Sequence, residues 1–161
     1  MDLAPNLASV SLLVGVWQGP GRGIYPTITP FDYTEEVTFS DVGKPFLVYR
    51  QRTFSSTGSP MHTEVGFLRV PSVGVAELVL AQPTGQTELL EGTIETLDRG
   101  LRLWLTSRQV VNSTSAKQVD ATQREYILHG DTMTTEFAMA AVDQQMSQHL
   151  FSTLQAVRSG G

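Results

Sequence analysis

Between positions 31 and 40 the chain reads FDYTEEVTFS, and it alternates. Phe31, Tyr33, Val37 and Phe39 share one parity while Asp32, Thr34, Glu36, Thr38 and Ser40 share the other, with Glu35 the one polar intruder on the apolar side. Successive side chains of a strand point to opposite faces, so this pattern predicts a half-buried antiparallel strand. Similar runs follow at PFLVYRQRTF, HTEVGFLRV, VAELVLAQ, TELLEGTIETL, LRLWLTSRQVV, AKQVDATQREYIL, TMTTEFAMAAV and HLFSTLQAV. Turn signals separate them: DVGKP, SSTGSP, PSVG, PTGQ, DRG, NSTS and HGD. With the glycine-rich segment near the start this makes about ten strands joined by hairpin-length loops, the pattern of a single all-β, antiparallel up-and-down barrel. Closure removes the sheet edges, and a barrel of this strand number encloses more space than its own side chains readily fill. LASVSLL is read as a short helical plug ahead of the first strand, and DQQMSQ as a short helical turn or loop before the last. The sequence proposes a container.

The segment GVWQGPGRGIYPTI sets Gly15, Gly19, Gly21 and Gly23 at alternate positions, interrupted at Trp17. Glycine weakens a strand because it costs backbone entropy and packs nothing. Two readings explain it. The glycines let the strand coil at a barrel corner with Trp17 plugging the closed end, or a flat, bulky ligand lies against the bare backbone of Gly19 to Gly23.

Composition narrows the chemistry. A chain of 161 residues with 40% hydrophobic and 17% charged residues suits one domain, positions 1–161, with a real core. A net charge of -5 without a basic run argues against nucleic acid as a partner. No cysteine is present, which excludes disulfides, iron–sulfur clusters, thiolate-ligated haem and thiol nucleophiles. The apolar run LASVSLLVGVW is too short to span a bilayer, and Asp2 stands where a secretory signal carries positive charge, so no membrane role and a cytoplasmic location are expected.

Three histidines are candidates. His129 lies in the turn LHGDT and reads as a solvated surface residue; His62 starts a strand and is expected to be exposed at the rim. His149, at the mouth of the last strand beside Leu150 and Phe151, could face the cavity, although a lone histidine is seldom a metal site by itself. The G-x-S-x-G, H-E-x-x-H and Walker patterns and any Cys–His pair are absent, and GPGRG is followed by Pro26 and Pro30 too soon to open a helix. Glu35 and Glu36 adjoin on a strand, point to opposite faces and cannot act as a pair. Met133, Met139 and Met146 read as fillers of core gaps.

GVWQGPGRGIYPTI resembles the G-x-W-x-G-x-G-x-G-x-Y-P-T-I signature of the nitrobindins, small haem-binding β-barrels similar in shape to fatty-acid-binding proteins. The resemblance continues through PFDYTEEVTFSDVGKPFLVYRQRT, TEVGFLRV, VAELVLAQPTG, AKQV and the closing HLFSTLQ, and covers essentially the whole chain. It implies a barrel with one haem b at its mouth, the iron bound axially by the histidine that opens the last strand, here His149. It further implies that Thr27 lies beside the porphyrin, that Lys117 partners a propionate, and that Gly19, Gly21, Gly23 and Tyr25 belong to the wall on which the porphyrin lies. The activity implied is nitric oxide binding and isomerisation of peroxynitrite to nitrate at ferric haem, with His149 the catalytic residue. A homodimer is left open. The competing reading is a carrier of a fatty acid or other apolar ligand, marked by an internal Arg–Tyr set, for which Arg50 and Arg52 could be mistaken.

Overall fold

The fold is given by a computed structural model that describes residues 2–141 and 144–158. Ten antiparallel strands form it: β1 (Gly15–Tyr25), β2 (Ile28–Asp41), β3 (Phe46–Phe54), β4 (Pro60–Ser72), β5 (Val75–Ala81), β6 (Gln86–Leu97), β7 (Gly100–Asn112), β8 (Val119–His129), β9 (Thr132–Ala141) and β10 (Ser147–Ala156). Each pairs with its neighbours in sequence, and β1 pairs with β10 to close the ring. The alternation in β2 is realised as read: Tyr33, Glu35, Val37 and Phe39 are buried, while Thr34 is exposed and Glu36 faces outward to Arg52.

A 3-10 helix, Pro5–Leu13, stands before β1. Its buried residues are Leu7, Val10 and Leu13, one every third position, which is the period of a helix with three residues per turn. They pack into the barrel end with Leu47, Leu68, Leu78, Leu90, Leu103 and Leu128. Trp17 joins this cluster and its indole N–H donates to the Leu13 carbonyl at 2.9 Å, so the helix and first strand together plug the closed end. Full burial of each such leucine contributes roughly 1.5–3 kcal/mol.

Several boundaries differ from the alternation pattern. Strand β2 begins at Ile28, ahead of Phe31, because Gly23 to Tyr25 already pair with it. Strand β8 begins at Val119, so Lys117 and Gln118 of AKQV lie in the preceding loop. Strand β10 begins at Ser147, making His149 its third residue rather than its first. Of DQQMSQ, Gln144 closes a turn by donating its N–H to the Ala141 carbonyl at 2.9 Å; residues 142 and 143, which TMTTEFAMAAV and DQQMSQ include, lie outside the described residues, as do 1 and 159–161.

Candidate functional site

Inward-facing residues change character with height. On β3 the buried series from the closed end is Leu47, Tyr49, Gln51, Thr53; on β8, read from the same end, it is Leu128, Tyr126, Arg124, Thr122. Apolar floor gives way to a polar waist. Above the waist the barrel opens into a cavity of about 710 Å³ whose mouth carries Tyr25, Phe31, Phe137, Met139, His149 and Leu150. Strand bulges cluster on this rim. An extra residue is inserted at Met61 in β4, at Asp120 in β8 and at His149 in β10. Bulges break the two-residue repeat and re-aim a side chain, which is why they gather at barrel rims and sites.

His149 is the best-placed donor. Gln148 pairs with Ala138 and Leu150 with Phe137, leaving His149 as the unpaired residue of its bulge. Its Nδ1 lies 2.9 Å from the Ile24 carbonyl. A carbonyl only accepts, so Nδ1 carries the proton and the lone pair is on Nε2. The ring meets Tyr25 edge-on at 5.2 Å and Phe137 at 5.9 Å. Tyr25 is itself fixed across β10: its hydroxyl accepts from the Ala141 N–H at 3.1 Å and lies 3.3 Å from the Met139 carbonyl. Burial lowers the pKa of His149, which favours the neutral, ligating ring.

The other expected site residues divide. Tyr25, Thr27, Lys117 and His149 all border the cavity, Thr27 and Lys117 as exposed rim residues. Gly19, Gly21 and Gly23 do not. A Cβ at Gly21 would fall 2.3 Å from the Tyr33 ring, one at Gly23 2.2 Å from the Phe31 ring, and one at Gly19 2.0 Å from the Thr153 carbonyl oxygen. The bare-wall reading is thus corrected: Gly21 and Gly23 pair directly with Tyr33 and Phe31, whose rings cover the glycines and present the cavity surface themselves. Gly21→Val is therefore expected to unsettle the barrel before any ligand is added, by about 1–3 kcal/mol of overpacking. Thermal melting of the ligand-free protein checks this; an unchanged midpoint would contradict it.

The histidine and methionine readings also need adjustment. His129 is exposed as expected. His62 is not a free rim residue: it lines the cavity, its side chain is 28% exposed, and its Nε2 stands 3.8 Å from Glu64 Oε2. It shares the parity of the buried Glu64, Leu68 and Val70, so the regular alternation of β4 faces it inward, and the extra residue at Met61 comes before it. Met133 fills the core, Met139 lines the cavity, and Met146 is 37% exposed because it sits in the loop before β10.

The polar waist was not singled out from the sequence. Arg124 donates to Glu64 Oε1 at 2.6 Å and to Glu88 Oε2 at 2.8 Å; Tyr49 donates to Glu64 at 2.8 Å and its hydroxyl lies 3.0 Å from that of Tyr126. The guanidinium of Arg124, the hydrogen bond from Tyr49 and the nearby His62 hold Glu64 at a pKa of about 2 against the opposing cost of its burial. Desolvation pushes the Tyr126 phenol up to about 12. Glu35 behaves oppositely. Desolvation raises its pKa, with the Glu64 charge adding, although Gln51, Ser152 and Thr135 donate to it. Gln51 Oε1 has no partner as placed. A signal for the waist existed: Glu64, Glu88 and Arg124, like Glu35, are polar intruders on an apolar parity.

An internal Arg–Tyr set is present, but it is Arg124 with Tyr49 and Tyr126. Arg50 is exposed and Arg52 pairs outside with Glu36. Two carboxylates already overcompensate Arg124, so the waist repels the carboxylate of a fatty acid. Among the described residues no three His, Asp or Glu side chains converge to hold a bare metal ion. One imidazole lone pair on a large aromatic mouth suits a metal that brings its other ligands in a flat organic ring, and the donor set and mouth fit such a group.

Known proteins agree with this geometry. Residues 6–156 match the family described as THAP4-like, heme-binding beta-barrel domain. A protein of Nocardia farcinica named peroxynitrite isomerase is 46% identical, over 94% of this chain and 91% of its own length. Peroxynitrite isomerase 1 of Mycolicibacterium paratuberculosis is 44% identical over 98% of both chains. The crystal structure of Rv2717c from M. tuberculosis superposes with a TM-score of 0.95 at 44% identity, covering 98% of this chain and 100% of that one.

Proposed function

The chain belongs to the THAP4-like, heme-binding β-barrel family, the nitrobindins, and from that premise we propose that it isomerises peroxynitrite to nitrate at one ferric haem b ligated by His149. Nitric oxide is proposed as a second ligand of the same haem. The observation that carries this is the Nδ1 bond of His149 to Ile24, which leaves Nε2 free at an aromatic mouth. The bound iron would supply the electrophilic centre for rearrangement. The protein's share is structural: Ile24 fixes the imidazole tautomer, Tyr25 and Phe137 fix its plane, and the rings of Phe31 and Tyr33 keep the wall apolar.

The proposal takes residues 1–161 as one domain acting in the cytoplasm, as monomer or homodimer; among the described residues no helix is long and apolar enough to cross a membrane. Titration with hemin should give a Soret band saturating at one haem per chain, and the loaded protein should raise the nitrate yield from peroxynitrite. No uptake, or an unchanged yield with haem bound, would overturn it.

Lys117 is proposed to meet a propionate from the exposed rim. Such a contact is screened by water and contributes at most about 1 kcal/mol. Lys117→Ala should speed haem loss modestly and reduce its salt dependence, as measured by transfer to apomyoglobin at low and high salt.

A further inference from the structure

His62 faces the cavity that His149 faces, from another arc of the barrel. Strands β4 and β10 are separated by β3, β2 and β1 along one side of the ring and by β5 to β9 along the other, so their side chains look across the opening. His62 is not held by chance packing. Its neighbour Glu64 is immobilised by both guanidinium nitrogens of Arg124 and by the Tyr49 hydroxyl, and stays a carboxylate.

Charge gives His62 its role. Facing the same cavity are Glu64 on its own strand, Arg124 on β8, Glu88 on β6, the phenol of Tyr49 on β3 and Glu35 on β2, whose pKa burial raises. Two carboxylates face one guanidinium, and the Nε2 of His62 stands 3.8 Å from Glu64 Oε2, on the side of that surplus charge. An imidazolium carries two N–H groups. The one at Nε2 is answered by Glu64, which leaves the other for a molecule in the cavity.

We infer that His62, backed by Glu64, is a second ligand-facing imidazole of this site, a hydrogen-bond donor that positions small anions in the cavity. This deepens the haem reading and rests on it. It assigns His62 to orientation and selectivity: an anion such as peroxynitrite gains a charge-assisted hydrogen bond, while a neutral diatomic gains little.

Fluoride binding to the ferric, haem-loaded protein tests it, because fluoride is an anion with no proton of its own to donate. His62→Leu should lower fluoride affinity about tenfold or more, the usual weight of a hydrogen bond to a charged group, and leave nitric oxide affinity unchanged. His62→Gln, whose amide N–H can donate, should recover part of the loss. Equal fluoride affinities in wild type and His62→Leu, with both Soret bands intact, would overturn the inference and leave the haem reading standing. Failure of the wild type to take up hemin would instead remove the reading beneath it.

Discussion

Replacing His149 by alanine is expected to abolish haem ligation while leaving the barrel folded. The Soret band of the hemin-loaded variant should collapse to that of weakly held, unligated hemin, and nitrate yield from peroxynitrite should fall to the uncatalysed level. The fold should survive because His149 sits half-buried at the mouth as the extra residue of a bulge, apart from the leucine cluster at the closed end. Loss of its ring frees the Ile24 carbonyl, which borders the open mouth, so the stability cost should stay near 1 kcal/mol. Proton competition supplies a second signature. Ligation needs the neutral ring, so haem affinity should drop as pH falls through the histidine range, and burial moves that drop to lower pH than for free imidazole. Retention of a wild-type ferric spectrum by His149→Ala would show that the wrong histidine carries the iron.

Arg124→Met should be the most damaging single change to the fold itself. The side chain is fully enclosed and is the shared partner of Glu64 and Glu88, so its removal strands two buried carboxylates. Breaking a buried pair in this way costs about 3–5 kcal/mol. The effect should reach the mouth as well, because the guanidinium lies over the Phe137 ring at 4.7 Å and Phe137 packs on His149. The sign of the pH response distinguishes charge from packing. In the wild type the depressed pKa of Glu64 contributes stability that is present above the ordinary carboxylate range and lost as pH falls toward about 2. In Arg124→Met the stranded carboxylates favour protonation, so mild acid near pH 5 should restore part of the lost stability. Combining Arg124→Met with Glu64→Gln and Glu88→Gln should recover most of it. Urea midpoints measured across pH decide the matter, and a triple variant as unstable as the single one would show that packing, not charge, is responsible.

The barrel was legible because its strands are half-buried: one parity meets the interior, the other meets water, and the turns carry glycine, proline and asparagine where the chain reverses. The position of His149 at the mouth was also legible, through its place near the start of the last strand. Its bulge was not, because an inserted residue leaves no mark in the alternation until the partner register is known. The glycines show the same limit from the other side. Their spacing revealed that something approaches the β1 backbone closely, but only cross-strand pairing reveals that it is Tyr33 and Phe31 of the same chain. Arg124, Glu64 and Glu88 sit far apart in sequence and become a triad only when the ring closes. Each alone looks like an error in a pattern.

Closure itself has a consequence in time. Every strand contact but one joins neighbours in sequence, and such hairpins can form with little loss of chain entropy; the β1–β10 seam alone must bring the two ends of the chain together. The bond from His149 Nδ1 to the Ile24 carbonyl spans that seam, so a chain whose ring has not yet shut lacks an oriented ligand for iron. With His149 as that ligand, haem would capture the closed ring and not the open one, and its binding free energy would be added to the one strand pairing that joins distant parts of the chain. Cofactor supply would then act as a clasp during biosynthesis, setting how long a newly made chain remains open to proteases.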